Sequence, residues 1–307
     1  MGGNRPEKRS PEGIGFLSGA GAYFLWGLFP LYWKMLSSVA PLQILAHRVT
    51  WAFILTVLLS LILGRRKAIV AIFRNPKKLL VTFGAGFLVT ANWGIYIWAV
   101  NTGRIIETSL GYYLNPLVSV ALGGLVLKEK LDKGIVAACA IAVVGITILT
   151  VSYGRLPWVA LALAGTFAVY GLMKKMIGLD SLMGLAIETT LVFPLAVGYL
   201  VFEQLAGRGA IFSVGAFETG LLVFSGVVTV IPLFLYAEGV KRVALSKLGF
   251  FQYIAPTLQL LIGVLVFGEV LEGARAIAFA FIVSALAIFA LTRSRKPVAA
   301  HPGSTDK

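Results

Sequence analysis

The chain has 307 residues, of which 58% are hydrophobic and only 13% charged, and its mean hydropathy is +0.89. A soluble domain carries about 25% charged residues, so half the expected charge is missing and a soluble enzyme or nucleic-acid binder is excluded. The formal net charge of +14 lies in short clusters between apolar runs of about 20 residues, each long enough to cross a ~30 Å hydrocarbon layer. Lys and Arg accumulate in this way in the cytoplasmic loops of a polytopic membrane protein. The single Cys139 excludes an intramolecular disulfide and a multi-cysteine metal site.

In chain order, residues 1–12 are a polar, basic tail expected to be disordered. The run at 14–35 is too long for a secretory signal and lacks an Ala-x-Ala exit, so it reads as a retained first span. Ten helices are predicted at 14–35, 42–63, 79–100, 107–127, 133–152, 156–174, 182–202, 217–239, 246–267 and 273–292, followed by a polar tail from 294. With the N-terminus inside, the cytoplasmic loops and tails would hold twenty Lys and Arg, and the outer loops only Lys34, Arg104, Arg155, Arg208 and Arg275. That bias predicts an all-α polytopic protein with both termini cytoplasmic.

The chain also repeats itself. Shifted by 140 residues without a gap, Tyr96, Val100, Tyr113, Pro116, Gly123, Leu125, Val126, Glu129 and Leu131 fall on Tyr236, Val240, Tyr253, Pro256, Gly263, Leu265, Val266, Glu269 and Leu271. The same shift places Leu42, Leu45, Ala46, Thr50 and Phe53 on Leu182, Leu185, Ala186, Thr190 and Phe193. In the first helix of each half the shift is 144, and Trp26 falls on Tyr170. The predicted organisation is a first five-helix repeat over 13–152 and a second over 153–293. Five is odd, so the halves enter the membrane from opposite sides and the repeats are inverted. Inverted repeats give two near-equivalent packings of one bundle, which is the physical basis of alternating access.

The runs Ala91-Asn92-Trp93, Tyr96-Ile97-Trp98-Ala99-Val100-Asn101, Leu110-Gly111-Tyr112-Tyr113-Leu114-Asn115-Pro116 and Leu248-Gly249-Phe250-Phe251-Gln252-Tyr253-Ile254-Ala255-Pro256 resemble a RarD-type member of the EamA branch of the drug/metabolite transporter superfamily. The resemblance extends from Gly13 to about Leu291. It implies export or exchange of small metabolites or drugs across the bacterial inner membrane, and leaves the solute open.

The polar residues of the predicted spans are the candidates for solute contact. In the fourth helix, Tyr112, Asn115, Pro116, Ser119 and Gly123 recur at helical spacing, and the ninth helix carries Gln252, Tyr253, Pro256 and Gln259. Amides are costly in lipid and should face the bundle interior, either as bonds between helices or as cavity lining. A proline frees a carbonyl one turn back, which is tolerated where protein or a cavity satisfies it. The third helix adds Asn92, Trp93 and Tyr96, the eighth Pro232 and Tyr236, and the first and sixth Tyr23, Trp26 and Tyr170. Trp33, Trp98 and Trp158 stand near span ends and are expected as interfacial anchors. A lining of aromatics and amides with few carboxylates suits a neutral or zwitterionic, partly apolar solute.

Two ionisable residues lie within spans and are gating or coupling candidates. Arg48 stands about two turns into the second helix and is expected to snorkel or to make local bonds. Its repeat partner Glu188 is expected about two turns from the opposite face, within reach of water, so the two should not pair. Glu107 and Glu238 stand at helix ends, while Glu129 and Glu269 close the fourth and ninth helices, where they could tie down loops. No nucleotide-binding loop is present, so no direct use of ATP is expected, and no metal or other cofactor is expected. The expected partners are a small-molecule solute and the lipid bilayer, with no nucleic acid. The expected function is a multi-pass secondary transporter of the bacterial inner membrane, an exporter or facilitator. The alternatives are an integral-membrane enzyme acting on lipid, for which Ser246-Lys247 is a weak signal, and a non-transporting receptor.

Overall fold

The computed structural model describes residues 11–65, 70, 72–126, 128, 131–154, 156–177, 181–211, 213–243, 251–271 and 273–294. Among these residues there are helices and turns and no strand. Eight helices are long and apolar enough to cross a membrane, and Trp158–Lys174 and Phe251–Val266 are shorter apolar helices. The molecule is a polytopic α-helical membrane protein.

The first predicted helix is two: α1 (Pro11–Gly27) and α2 (Phe29–Lys34), joined at Leu28. The physical cause is Pro30. Its missing N–H leaves the Trp26 carbonyl without its i+4 donor, and the Gln259 side chain supplies one instead, Nε2 donating to Trp26 O at 3.3 Å. The remaining elements are α3 (Pro41–Ile62), α4 (Pro76–Asn101), α5 (Ile105–Val126), α6 (Lys133–Tyr153), α7 (Trp158–Ile177), α8 (Ser181–Leu205), α9 (Ala216–Arg242), α10 (Ile254–Leu261) and α11 (Ala274–Ser294). From α3 onward each therefore carries a number one above its predicted helix. The ninth predicted helix is not regular: a 3-10 turn at Phe251–Tyr253 leads into α10, and a π turn at Ile262–Val266 ends it.

Local chemistry places the helix ends. Pro41 and Pro76 stand in the first turns of α3 and α4, where a missing N–H costs nothing. Asn75 caps α4 by accepting from Lys78 N at 3.1 Å. Gly154 ends α6 at φ +62°, a conformation that a side chain would strain. Glu269 caps α5 from a distance in sequence: its carboxylate accepts from Ile105 N at 2.6 Å and from Ile106 N at 2.9 Å. It ties down a loop, as its position suggested; Glu129, Ser246 and Lys247 lie outside the described residues.

The described residues form two compact units. One is drawn from the chain up to Asn115 and from Trp158–Leu271, the other from Pro116–Pro157 and the chain beyond Leu271. In the first unit α1 packs on α9 and α4 on α7, while α3 packs on α8 and α9, and α4 on α8. Its core holds Trp33, Leu36, Ile44, Trp93, Tyr96, Ile97, Leu163 and Leu222. Glycines let backbones approach at the crossings. A Cβ on Gly86 of α4 would meet Glu188 O at 2.9 Å, and one on Gly226 of α9 would meet the Trp51 carbonyl carbon at 2.5 Å. In the second unit α6 packs on α11, where a Cβ on Gly145 would meet Ala278 O at 3.1 Å.

Gly226→Ala should therefore lower stability in detergent by about 1–3 kcal/mol, because backbone must move to admit the methyl group. Gly220→Ala, in the same helix with open space around it, should be neutral or slightly stabilising. Thermal unfolding of both variants checks this, and equal effects would contradict the close crossing.

Candidate solute site

Arg48 projects from α3 into the core of the first unit and is only 3% exposed. Its Nε donates to Thr229 Oγ1 of α9 at 3.0 Å. Its Cζ lies over three rings, at 4.0 Å from the Trp93 centroid, 5.0 Å from Trp33 and 5.7 Å from Phe29. Contacts of this kind are worth more when desolvated. The expectation that Arg48 snorkels is corrected: aromatic faces and a hydroxyl hold the side chain inside the protein. Trp33 is corrected with it. At 0% exposure it belongs to the core and is no interfacial anchor. Trp158 is 46% exposed and meets Trp98 at 5.3 Å, with Arg104 over the Trp98 ring at 5.0 Å.

Glu188 of α8 is 1% exposed, so the expectation that water reaches it is also corrected. Its carboxylate accepts from Lys174 Nζ at 2.8 Å and from Tyr170 Oη at 3.1 Å, both on α7. A carboxylate can be kept ionised away from water only by such partners. Arg48 and Glu188 each have their own neighbours and do not pair.

The predicted aromatic residues gather in two clusters. In one, Tyr23 lies 5.1 Å from Trp26 and 5.9 Å from Tyr236, and Trp26 lies 5.8 Å from Tyr236, centroid to centroid. In the other, Tyr96 meets Tyr112 at 5.6 Å, Tyr112 meets Phe167 at 6.5 Å, and Phe167 meets Tyr170 at 5.8 Å. The second cluster leads from Tyr96, one turn along α4 from the Trp93 that covers Arg48, to the hydroxyl that holds Glu188. Phe167 was missed in the sequence. The signal was available, because the shift of 144 that pairs Trp26 with Tyr170 also pairs Tyr23 with Phe167. Gly86 and Gly226, identical at the shift of 140, were missed in the same way.

The amides act partly as bonds between helices. Asn92 donates through Nδ2 to Leu163 O at 3.0 Å and to Thr166 Oγ1 at 2.9 Å, joining α4 to α7. Asn92 Oδ1, Gln259 Oε1 and the Tyr96 hydroxyl are buried and have no hydrogen-bond partner among the described residues. Tyr253 stacks on Tyr113 at 6.4 Å, and Tyr113 Oη meets Thr257 Oγ1 at 2.6 Å. Pro256 is buried, and its carbonyl accepts from Ser109 Oγ at 2.7 Å. Pro232 is buried within α9, Asn115 and Gln252 are half-buried in the first unit, and Pro116 and Ser119 belong to the second. Three further acids are engaged near helix ends: Glu107 with Arg104 at 3.5 Å, Glu203 with Arg208 at 3.0 Å, and Glu238 with Arg242.

Buried aromatic clusters, unsatisfied amide oxygens and two buried ionisable groups are features that a membrane transporter can present to a solute. Comparison with known proteins makes this specific. The EamA-like transporter family matches residues 13–151. The chain is 44% identical to Uncharacterized transporter YojE of Bacillus subtilis (strain 168), over 91% of this chain and 94% of that one. It is 42% identical to Protein RarD of Streptomyces exfoliatus, over 89% of this chain and 87% of that one. A crystal structure at 23% identity shares the fold, with a TM-score of 0.60 over 92% of this chain and 99% of its own. The chain belongs to the EamA family of the drug/metabolite transporter superfamily, as a RarD-type member.

Breaking the Lys174–Glu188 pair should destabilise the protein, since it leaves a buried charge unopposed. Lys174 is 21% exposed, which tempers the effect to about 2–3 kcal/mol for Glu188→Gln. Lys174→Met added to Glu188→Gln should restore most of the loss. Unfolding of the two single variants and the double variant tests this, and simple additivity would contradict a coupled pair.

Proposed function

We propose that this chain is a carrier of the bacterial inner membrane that moves small, partly apolar organic solutes by alternating access, as an exporter or facilitator. The first repeat covers 13–152 and the second 153–293, inverted relative to one another, with both termini cytoplasmic. The observation that carries the reading is the way contacts recur under the sequence repeat. The α1–α9 and α4–α7 contacts exchange under it, as do α3–α9 and α8–α4. Tyr23 and Trp26 exchange with Phe167 and Tyr170, which meet in the same way, and Tyr236 of the first cluster exchanges with Tyr96 of the second. Gly86 and Gly226 exchange as well, each against the counterpart helix. Phe53 stacks on its own repeat partner Phe193 at 4.1 Å, as Tyr113 does on Tyr253. Residues meet their own counterparts where they lie on a two-fold axis relating the halves.

Such a bundle can exchange the conformations of its halves and open to either side. Tyr23, Trp26, Asn92, Trp93, Tyr96, Tyr112, Asn115, Ser119, Tyr170, Tyr236, Gln252, Tyr253 and Gln259 are the proposed solute-contacting set. Pro116, Pro232 and Pro256 are the proposed points of helix adjustment. Glu188, held by Lys174 and Tyr170, is read as a gate bond rather than a proton carrier, and flux follows the solute gradient.

Liposomes containing the purified protein and loaded with a bacterial metabolite extract should lose particular solutes, saturably and without ATP. Mass spectrometry against protein-free liposomes identifies them. Asn115→Leu or Gln252→Leu should reduce that efflux at least tenfold. Absence of protein-dependent efflux would overturn the carrier reading. Uphill accumulation driven by an imposed pH gradient would overturn uncoupled flux.

A further inference from the structure

We propose that Arg48 is the anion-binding group of this carrier and that its solute bears a carboxylate on an apolar or aromatic body; the inference rests on the carrier reading above. Arg48 is 3% exposed and carries a permanent charge. Among the described residues no carboxylate pairs with it. Glu188 is held by Lys174 and Tyr170, Glu203 by Arg208, Glu107 by Arg104 and Glu238 by Arg242. Glu269 is engaged with the backbone of α5. A buried charge without a counter-charge is disfavoured, and a group from outside the chain can complete it.

The geometry says which kind of group. The Cζ of Arg48 lies over the Trp93 ring at 4.0 Å, so a face of the guanidinium is covered. Along the edge, Nε is taken by Thr229 Oγ1, while Nη1 is buried and has no hydrogen-bond partner among the described residues. A planar acceptor arriving edge-on, as a carboxylate does, matches those N–H directions. The Tyr96 hydroxyl, one turn along α4 from the Trp93 that covers Arg48, is also buried without a hydrogen-bond partner among the described residues, and the proposal assigns it to the second oxygen. The surrounding rings of Trp33, Phe29, Trp93 and Tyr112 favour an apolar body over a heavily hydrated one. One guanidinium also matches one negative charge, which disfavours a polyanion. The neutral or zwitterionic, partly apolar solute that the scarcity of carboxylates suggested is thereby given an acidic end.

The test is the thermal stability of the purified full-length protein in detergent at constant ionic strength, since a ligand of the folded state raises its midpoint. The probes are benzoate, phenylacetate and indole-3-acetate, each against its amide, together with chloride and inorganic phosphate. At least one carboxylate should raise the midpoint by about 2–4 °C, with its amide and the inorganic anions leaving it unchanged. Arg48→Gln should abolish that response and Arg48→Lys retain part of it. No response to any carboxylate, an equal response to an amide, or an equal response to chloride or phosphate would overturn the proposal. So would an Arg48→Gln protein that keeps the carboxylate preference. If Arg48→Gln does not fold, the carboxylate-against-amide comparison on the unmodified protein decides alone. A carboxylate response in protein that catalyses no flux in liposomes would retain the Arg48 site and discard the carrier reading. Flux indifferent to Arg48→Lys and to carboxylates would do the reverse.

Discussion

The structure of the first unit depends on two places where helix backbones touch, Gly86 of α4 against α8 and Gly226 of α9 against α3. Lipid tails are as apolar as leucine, so burial gives little drive for helices to associate within a membrane. Close packing supplies it, and close packing requires small residues where helices cross. These contacts fix α3 and α8, the two helices that carry the buried Arg48 and Glu188. The charged groups are thus set by backbone contact rather than by loops, which is the precision a binding or gating group needs.

The two buried charges are handled differently although they occupy equivalent positions in the repeats. Glu188 is neutralised inside the protein by Lys174 and shares a hydrogen bond with Tyr170. Arg48 is instead surrounded by Trp93, Trp33 and Phe29, with only Thr229 bonded to it among its described partners. A ring face lowers the cost of burying a guanidinium without neutralising it. Among the described residues Glu188 has a counter-charge and Arg48 has none, and under the proposal above that difference gives the solute site its sign.

Much of the architecture was legible in the sequence because membrane helices obey two strict rules, apolar length and charged ends. The repeat was legible because paired rings share their residue type: Tyr113 stacks on Tyr253 and Phe53 on Phe193. Tertiary burial was not legible. Trp33 has the sequence context of an interfacial anchor, yet α2 turns it inward beneath Arg48, a consequence of the break that Pro30 makes after α1. Arg48 reads as a snorkelling residue until its three rings, drawn from α2 and α4, are seen to converge on it. Lys174 reads as a loop charge, and only the packing of α7 against α8 shows that it enters the protein to meet Glu188. Gln259 was recognised as an interior amide, but that its donor replaces the one lost at Pro30 depends on a contact 233 residues apart in the chain.

The central claim is that equivalent halves open alternately to opposite sides of the membrane. Single cysteines at Leu31 in α2 and at Met173 in α7, in a Cys139→Ser background, would report on the two sides in oriented membrane vesicles. Both positions are half-buried here. Their labelling by an impermeant maleimide, followed with and without a saturating transported solute, measures the claim directly. The account predicts reciprocal change, one site becoming protected as the other becomes reactive, each from its own side only. Parallel change at both sites, or labelling of either from both sides at once, would contradict it.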